Sequence, residues 1–142
     1  MTESFVPALS SPEAAVRALE DAYRARDLEA AIACKDFMAE AELMIRRINS
    51  ALPVTEELVR QAALVLEHSF REHIAKTGFP DFAGVQSSFP YSEFLADNLV
   101  LVTELCSFPD GRITEQKLFV ARVENGWRVL NPASSRKPPD AA

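Results

Sequence analysis

The sequence is poor in the residues that mark metal, disulfide or nucleotide sites. Its 142 residues include two cysteines, two histidines and four glycines. These are too few and too scattered for a disulfide framework, a zinc finger or a glycine-rich phosphate loop. Cys34 and Cys106 have no histidine cluster near them in the sequence, so we expect two reduced, buried thiols rather than a disulfide or a catalytic pair.

The chain also lacks an excess of positive charge and long apolar runs. Its formal net charge is −6, which argues against nucleic acid and anionic membranes as partners, because both attract basic surfaces. No apolar run is long enough to span a bilayer, and residues 1–11 lack the basic and apolar parts of a signal peptide. We therefore expect a cytoplasmic protein that binds neither nucleic acid nor membrane.

What the sequence does contain is the composition of an ordinary globular protein. Hydrophobic residues make up 48% of the chain and charged residues 25%. A chain of this length buries enough surface to hold a core without disulfides or metal. We predict a single domain over residues 1–142, with an ordered core over residues 11–132 and loose tails at 1–10 and 133–142.

The first half of the chain has helical periodicity. Ser10, Ser11 and Pro12 are typical of a helix start, with a serine cap, proline in the first turn and Glu13 three residues after Ser10. Apolar residues then recur at helical spacing. Asp27 and Thr55 are predicted to cap a short second helix and a long last helix. Between these two, residues 37–48 keep one apolar face and form a further predicted helix.

The second half changes to the alternation that is typical of β-strands. The predicted strands cover residues 99–108, 113–123 and 127–130. Asn125-Gly126 forms the last hairpin turn. Residues 85–95 are ambiguous and hold at most a short strand, which Pro90 confines to a sheet edge. Helices followed by hairpins predict an α+β fold, with N-terminal helices on one face of a curved antiparallel sheet.

The predicted strand register rests on a hairpin and on a charge pair. Val123 is expected to pair with Trp127 across a three-residue loop. Glu104 is expected to lie opposite Lys117, so that the two charges compensate each other. A slip of one residue would move every side chain of a strand to the other sheet face, so this register can be tested directly.

Both faces of the predicted sheet are apolar. One face carries Val100, Val102, Phe119, Ala121, Val123, Trp127 and Val129. The other carries Leu99, Leu101, Leu105, Leu118, Val120 and Leu130. Helices cover one face, so the second needs a partner. We expect a homodimer through the outer sheet face, and the alternative is a loop or tail of the same chain folded over it.

Candidate ligating and catalytic side chains are only weakly grouped. His68 and His73 stand five residues apart on the long helix, so they point about 140° away from each other. Glu72 follows His68 by four residues, which leaves a two-ligand metal site as a weak alternative. Asp36 and Glu40 share a helix face, an arrangement more typical of a solvated surface than of acid–base catalysis. We therefore predict no metal and no cofactor.

Glu104 is the most informative acid, because it lies within an apolar strand. A buried carboxylate is costly unless it is paired, and Lys117 on the neighbouring strand would pair it. The alternative is a pocket acid with a raised pKa, to which Tyr23 could add a hydroxyl group. Glu104 is the one weak catalytic candidate.

Two short motifs bracket this pattern of elements. DAYRARDLEAAIA covers residues 21–33 and ENGWRVLNP covers residues 124–132. With the order of helices and strands, they resemble the first helix break and the last hairpin of the nuclear transport factor 2-like superfamily. The resemblance implies a cone whose helices and concave sheet face enclose a pocket, with an outer face that often dimerises. The pocket candidates are Tyr23, Phe37, Val102, Glu104, Phe119 and Trp127.

The same resemblance bears on catalysis. Isomerase-like members place a tyrosine eight residues before the aspartate at the helix break, where this chain has Leu19. They also place a catalytic aspartate in a strand where residues 37–48 are helical here. The expected function is therefore non-catalytic binding of a small apolar ligand or a protein partner. The alternative is an isomerase, cyclase or dehydratase of the ketosteroid isomerase or polyketide cyclase type.

A finer likeness concerns two longer segments. Residues 33–45 and 107–132 are similar to bacterial members of an immunity branch of this superfamily. That similarity implies an antitoxin-like protein partner.

Overall fold

Helices come first and strands second in the computed structural model, which describes residues 9–48, 51, 53–124 and 126–136. Within these residues the helices are α1 (Pro12–Ala25), α2 (Leu28–Ala33), α3 (Phe37–Ile48) and α4 (Glu56–Thr77). The strands are β1 (Gln86–Ala96), β2 (Leu99–Ser107), β3 (Ile113–Val123) and β4 (Gly126–Arg136). The fold is α+β, with helices packed on the concave face of a curved antiparallel sheet, as the sequence predicts.

Side-chain caps fix where the helices begin. Ser11, Asp27 and Thr55 each accept a hydrogen bond from the backbone N–H three residues further on, at 3.0 to 3.1 Å. Arg26 adopts a left-handed conformation with φ 56° between α1 and α2, which ends the first helix and redirects the chain. The predicted caps and the predicted helix break are confirmed, because short polar side chains satisfy N–H groups that the helix leaves open.

The sheet has the simple order β1-β2-β3-β4, and every neighbouring pair is antiparallel. The ambiguous residues 85–95 prove to be an edge strand rather than a short fragment. Pro90 lies at a register shift between Ser88 and Tyr91, which agrees with the tolerance of edge strands for proline. The edge position predicted for Pro90 is thus confirmed.

The predicted register of the hairpins is wrong by one residue. Val123 pairs with Gly126 rather than with Trp127, and Glu104 pairs with Gln116 rather than with Lys117. The slip exchanges the two faces of β3 relative to the prediction. A partly exposed ion pair contributes little, whereas the observed register buries a continuous apolar surface beneath the helices.

The inner face of the sheet packs on α1 and α2. Its core contains Val16, Leu19, Ala31, Val100, Val102, Leu118, Val120, Trp127 and Val129. Leu118 and Val120 therefore face the helices, which corrects the prediction that Phe119 and Ala121 do so. Burial of this apolar surface is the main stabilising term of such a fold.

The outer face holds a second, smaller cluster. Phe119, Ala121 and Leu130 are buried there, and Leu99 and Leu101 pack beside them. Ala39 and Leu43 of α3 also pack against this cluster. A helix of the same chain therefore covers part of the outer face near β4, where a partner copy or a loop or tail is expected from the sequence.

The linker between α2 and α3 runs along the edge of β4. The Val129 N–H donates to the Cys34 carbonyl at 2.8 Å, and Lys35 forms a parallel bridge with Val129. This backbone pairing places Lys35 and Phe37 beside the inner face of the sheet. The linker thereby supplies side chains to the space beneath α1.

Ordered structure extends beyond the predicted core of residues 11–132 on both sides. Leu9 is buried and forms a parallel bridge with Gly126, and β4 continues to Arg136. The remaining parts of the predicted tails, residues 1–8 and 137–142, lie outside the described residues. No described helix has the length and hydropathy needed to cross a membrane.

Gly126 offers a direct test of this packing. It has φ 131°, and a Cβ atom there would stand 2.6 Å from the Leu9 carbonyl oxygen. We expect Gly126→Ala to lower the free energy of unfolding by about 3 kcal/mol, because it adds a clash with backbone to the strain of a positive φ. Urea denaturation measures the change.

Gly111→Ala is the matched control, because Gly111 also has a positive φ, 91°, but open space around its Cα. It should cost only about 1 kcal/mol. Equal losses in the two variants would contradict the close contact between Gly126 and Leu9.

Candidate functional site

A cavity of about 510 Å³ lies between the helices and the inner face of the sheet. Helix α1, helix α4, the linker after α2 and the strands β3 and β4 all contribute to its wall. The apolar lining consists of Val16, Leu19, Tyr23, Phe37, Leu66, Phe70, Pro80, Phe82, Leu118, Val129 and Leu130. The polar lining consists of Glu20, Lys35, Glu40, Ser69, His73 and Gln116. A mostly apolar cavity with a few convergent polar groups is the usual form of a small-molecule site.

Aromatic rings form one side of the cavity. Tyr23 stacks on Phe82 at 5.9 Å between ring centroids and contacts Phe79 at 6.3 Å. Phe37 contacts Phe70 at 5.9 Å. These pairs hold flat apolar surfaces in fixed positions, so the cavity has a wall suited to a ring or a branched chain.

Lys35 and Glu40 form a buried ion pair in the cavity wall. Lys35 Nζ lies 3.0 Å from Glu40 Oε1, with the two side chains 7% and 8% exposed. Burial lowers the pKa of Lys35 and raises the pKa of Glu40, and the attraction between the two charges opposes both shifts. Lys35 also donates to the Leu130 carbonyl. The pair thus brings two compensating charges to an apolar cavity.

Glu20 and Glu104 form a second buried polar group on the inner face. Glu20 Oε1 accepts from the Ser87 hydroxyl at 3.0 Å, and Glu104 Oε1 accepts from Gln116 Nε2 at 2.8 Å. The other oxygen of each carboxyl group has no donor among the described residues. Two ionised carboxylates would repel each other there, whereas one shared proton satisfies both free oxygens.

Burial and the neighbouring Glu104 carboxyl group raise the pKa of Glu20 to about 9. Glu20 therefore keeps its proton at neutral pH, and its carboxyl group can donate a hydrogen bond. It lies between the central cavity and a second, outward-facing recess of about 370 Å³.

The structure brings together only some of the predicted pocket residues. Tyr23 and Phe37 line the cavity. Glu104 is fully buried on the inner face beside Gln116, its partner on β3, but it does not line the cavity. Val102 is fully buried in the core under α1.

Two predicted pocket residues lie elsewhere. Phe119 belongs to the outer cluster, so the pocket assignment of Phe119 is corrected by the register of β3. Trp127 is on the inner face but packs edge-on against Phe94 at 6.2 Å between ring centroids. It does not line the cavity.

The histidines do not converge. His68 is exposed and lies 3.9 Å from Glu72, while His73 lines the cavity on a different side of α4. Their separation follows from the five-residue spacing along the helix.

Within the described residues, Glu20, Glu104 and Cys106 form a cluster whose ligand atoms lie within 4.8 Å of one another. These are donor types that Zn²⁺ accepts. Burial and the Glu104 carboxyl group raise the pKa of the Cys106 thiol to about 12. The thiol is therefore protonated at neutral pH, and a cation would have to displace protons from Cys106 and Glu20 to bind.

Sequence reasoning missed Glu20, Lys35 and Gln116. Glu20 looks like one of several charged residues on the outside of α1, and Lys35 looks like part of a solvated helix face. The signal for Glu20 is its position one residue after Leu19, inside the apolar stripe of α1. The signal for Gln116 appears only with the correct register, because it depends on its place opposite Glu104.

Comparison with known proteins agrees on the fold. No family model matches the sequence, and no curated protein matches it. Among solved structures, a protein from Thiobacillus denitrificans ATCC 25259, named as a calcium/calmodulin-dependent protein kinase type II association domain, aligns with a TM-score of 0.53. The alignment covers 93% of this chain and 98% of that one at 17% identity. This likeness shows the fold alone, a set of helices followed by a curved antiparallel sheet.

The shared proton predicts an unusual dependence of stability on pH. An acid whose pKa is higher in the folded state binds a proton that the unfolded chain releases, so stability falls as pH rises from the ordinary value of 4.5 to about 9. Glu20→Gln keeps the donor and removes the titration. We expect it to abolish this slope, up to about 1.4 kcal/mol per pH unit, in urea denaturation at several pH values.

Glu93→Gln is the control, since Glu93 is an exposed acid on β1. It should leave the slope unchanged. A Glu20→Gln variant with the same pH slope as the wild type would contradict a shared proton.

Proposed function

We propose that this protein is a non-catalytic binding module that holds a small, largely apolar molecule inside its cone. The observation that supports this proposal is the cavity of about 510 Å³ between α1, α4 and β3. Its size suits a small organic molecule, and its aromatic walls are held in place by their own packing. The polar groups lie at a few places in the wall, where they can orient a ligand.

Filling the cavity tests the proposal. Leu118 is buried on the inner face and lines the cavity, so Leu118→Trp should occupy the space that a ligand needs. We expect 2-acetylnaphthalene, used as an apolar probe, to bind the wild-type protein and to bind this variant at least about tenfold more weakly, as loss of one well-packed contact implies. An NMR titration of ¹⁵N-labelled protein measures both affinities.

Leu105→Trp is the matched control, because Leu105 lies on the outer face of the neighbouring strand. It should bind the probe like the wild type. Unchanged binding by Leu118→Trp, or no binding by the wild-type protein, would contradict the proposed function.

An acid–base enzyme of the isomerase, cyclase or dehydratase type is the second candidate. The observation that favours it is the protonated Glu20 at the cavity wall, because a raised carboxyl pKa suits a general acid. Against it stands α3, which replaces the strand that carries the catalytic aspartate in isomerase-like members. Turnover of a small substrate by the wild-type protein that is lost in Glu20→Gln would establish this alternative. The absence of such turnover would refute it.

We further propose that two copies associate through the outer sheet face. Tyr91 and Ile113 project from that face and are 60% and 43% exposed, and an exposed apolar surface is costly in a monomer. The solved protein with the same fold is named as an association domain, which fits self-association. The immunity-type partner that the sequence resemblance implies stays a prediction, as do the cytoplasmic location and the single domain over residues 1–142.

Charged substitutions on this face should separate the copies. We expect the wild-type protein to be a dimer in size-exclusion chromatography with light scattering, and Tyr91→Lys/Ile113→Lys to be a monomer, because paired lysines repel across a two-fold axis. The control is Leu64→Lys/Val65→Lys, at two exposed residues of α4, which should stay dimeric. A monomeric wild type would rule out the dimer.

A further inference from the structure

Lys35 is a buried cation with one donor left over. Its side chain is only 7% exposed, and an ammonium group has three N–H bonds. Nζ forms an ion pair with Glu40 Oε1 at 3.0 Å, and an N–H donates to the Leu130 carbonyl. Because Lys35 also lines the cavity, the third N–H is the one that remains for a bound molecule.

Aromatic rings frame this ammonium group on two sides. Lys35 Nζ lies 5.4 Å from the centroid of Phe37 and 5.5 Å from the centroid of Phe70. The rings stabilise the charge and exclude water from it.

Other donors line the same cavity. The Tyr23 phenol keeps its proton, because burial and nearby acids raise its pKa to about 12, and its hydroxyl makes no hydrogen bond with any described residue. Gln116 uses one N–H on Glu104 and has a second one. Lys35, Tyr23 and Gln116 therefore each offer a donor to the cavity, and a ligand with an acceptor can pair with them.

The charge of the cavity decides what kind of acceptor that is. Glu40 already neutralises Lys35, and Glu20 holds its proton at neutral pH. A ligand carboxylate would add a charge without a counter-ion in an apolar space, which is costly. A neutral oxygen acceptor adds no charge to the cavity.

We infer that the ligand is an uncharged, largely apolar molecule with one carbonyl oxygen, such as a ketone, lactone or amide, which accepts a hydrogen bond from the Lys35 ammonium group. This inference rests on the proposed binding function and names the chemical class of its ligand. The carbonyl oxygen lies toward Lys35, and the apolar body lies between the aromatic wall and Leu118.

Three naphthalene derivatives test the inference because they differ only in one substituent. They are 2-acetylnaphthalene, 2-ethylnaphthalene and 2-naphthoate, and their affinities are compared by NMR titration of the wild-type protein at pH 7. The ketone should bind at least about tenfold more tightly than the hydrocarbon, because a hydrogen bond from a charged donor stabilises a complex enough to raise its affinity by about that factor. It should also bind more tightly than the carboxylate.

A paired substitution tests whether Lys35 causes the preference for the ketone over the hydrocarbon. Lys35→Met/Glu40→Gln removes both charges together and leaves no unpaired ion in the cavity, and it should reduce the ratio between ketone and hydrocarbon to near one. Lys76→Met/Glu72→Gln makes the same two changes at exposed residues of α4 and should leave the ratio unchanged. Circular dichroism checks that both variants are folded.

The outcomes separate this inference from the proposed function. If no probe binds the wild-type protein, the proposed function fails. If ketone and hydrocarbon bind equally well, or the carboxylate binds best, the cavity binds ligands but the carbonyl inference is wrong. If the folded Lys35→Met/Glu40→Gln variant retains the preference, Lys35 is not the donor, and the inference is again overturned.

Discussion

The pairing of β2 with β3 is the constraint on which the site depends. With Glu104 opposite Gln116, Leu118 and Val120 face the helices, and Phe119 turns to the outer side. A shift by one residue would put Phe119 and Lys117 beneath α1 and turn Leu118 and Val120 to the outer side. The register thus sets the core, the cavity wall and the residues that face outward, although it contributes no catalytic group itself.

The same constraint explains why charged groups lie inside this fold. Helix α1 crosses the sheet close enough to bury Leu19, and Glu20 follows it into the interior. There the carboxyl group meets Glu104, and the pair is tolerable only because one proton serves both. Lys35 and Glu40 reach the cavity through the linker that pairs with β4, and each neutralises the other. The Lys35–Glu40 pair therefore adds no net charge to the cavity, which suits a neutral ligand.

Much of the architecture can be predicted from local signals. Caps at Ser11, Asp27 and Thr55 act within one helical turn, so they can be recognised in sequence. The strand register cannot be predicted from local signals. It depends on whether one ion pair or the burial of a whole apolar face contributes more to stability. For the same reason Glu20 and Lys35 look like surface charges, and only the tertiary packing of α1 and of the β4 edge shows them to be buried.

The central claim is that the cone is a cavity for a neutral organic molecule and not a core filled by its own side chains. The most direct measurement is a crystal structure of the protein soaked with 2-acetylnaphthalene. The account predicts electron density for the probe between Tyr23, Phe70 and Leu118, with its carbonyl oxygen at hydrogen-bond distance from Lys35 Nζ. Density for Tyr23 or Phe82 collapsed into that space, or a probe bound only on the outer sheet face, would contradict it.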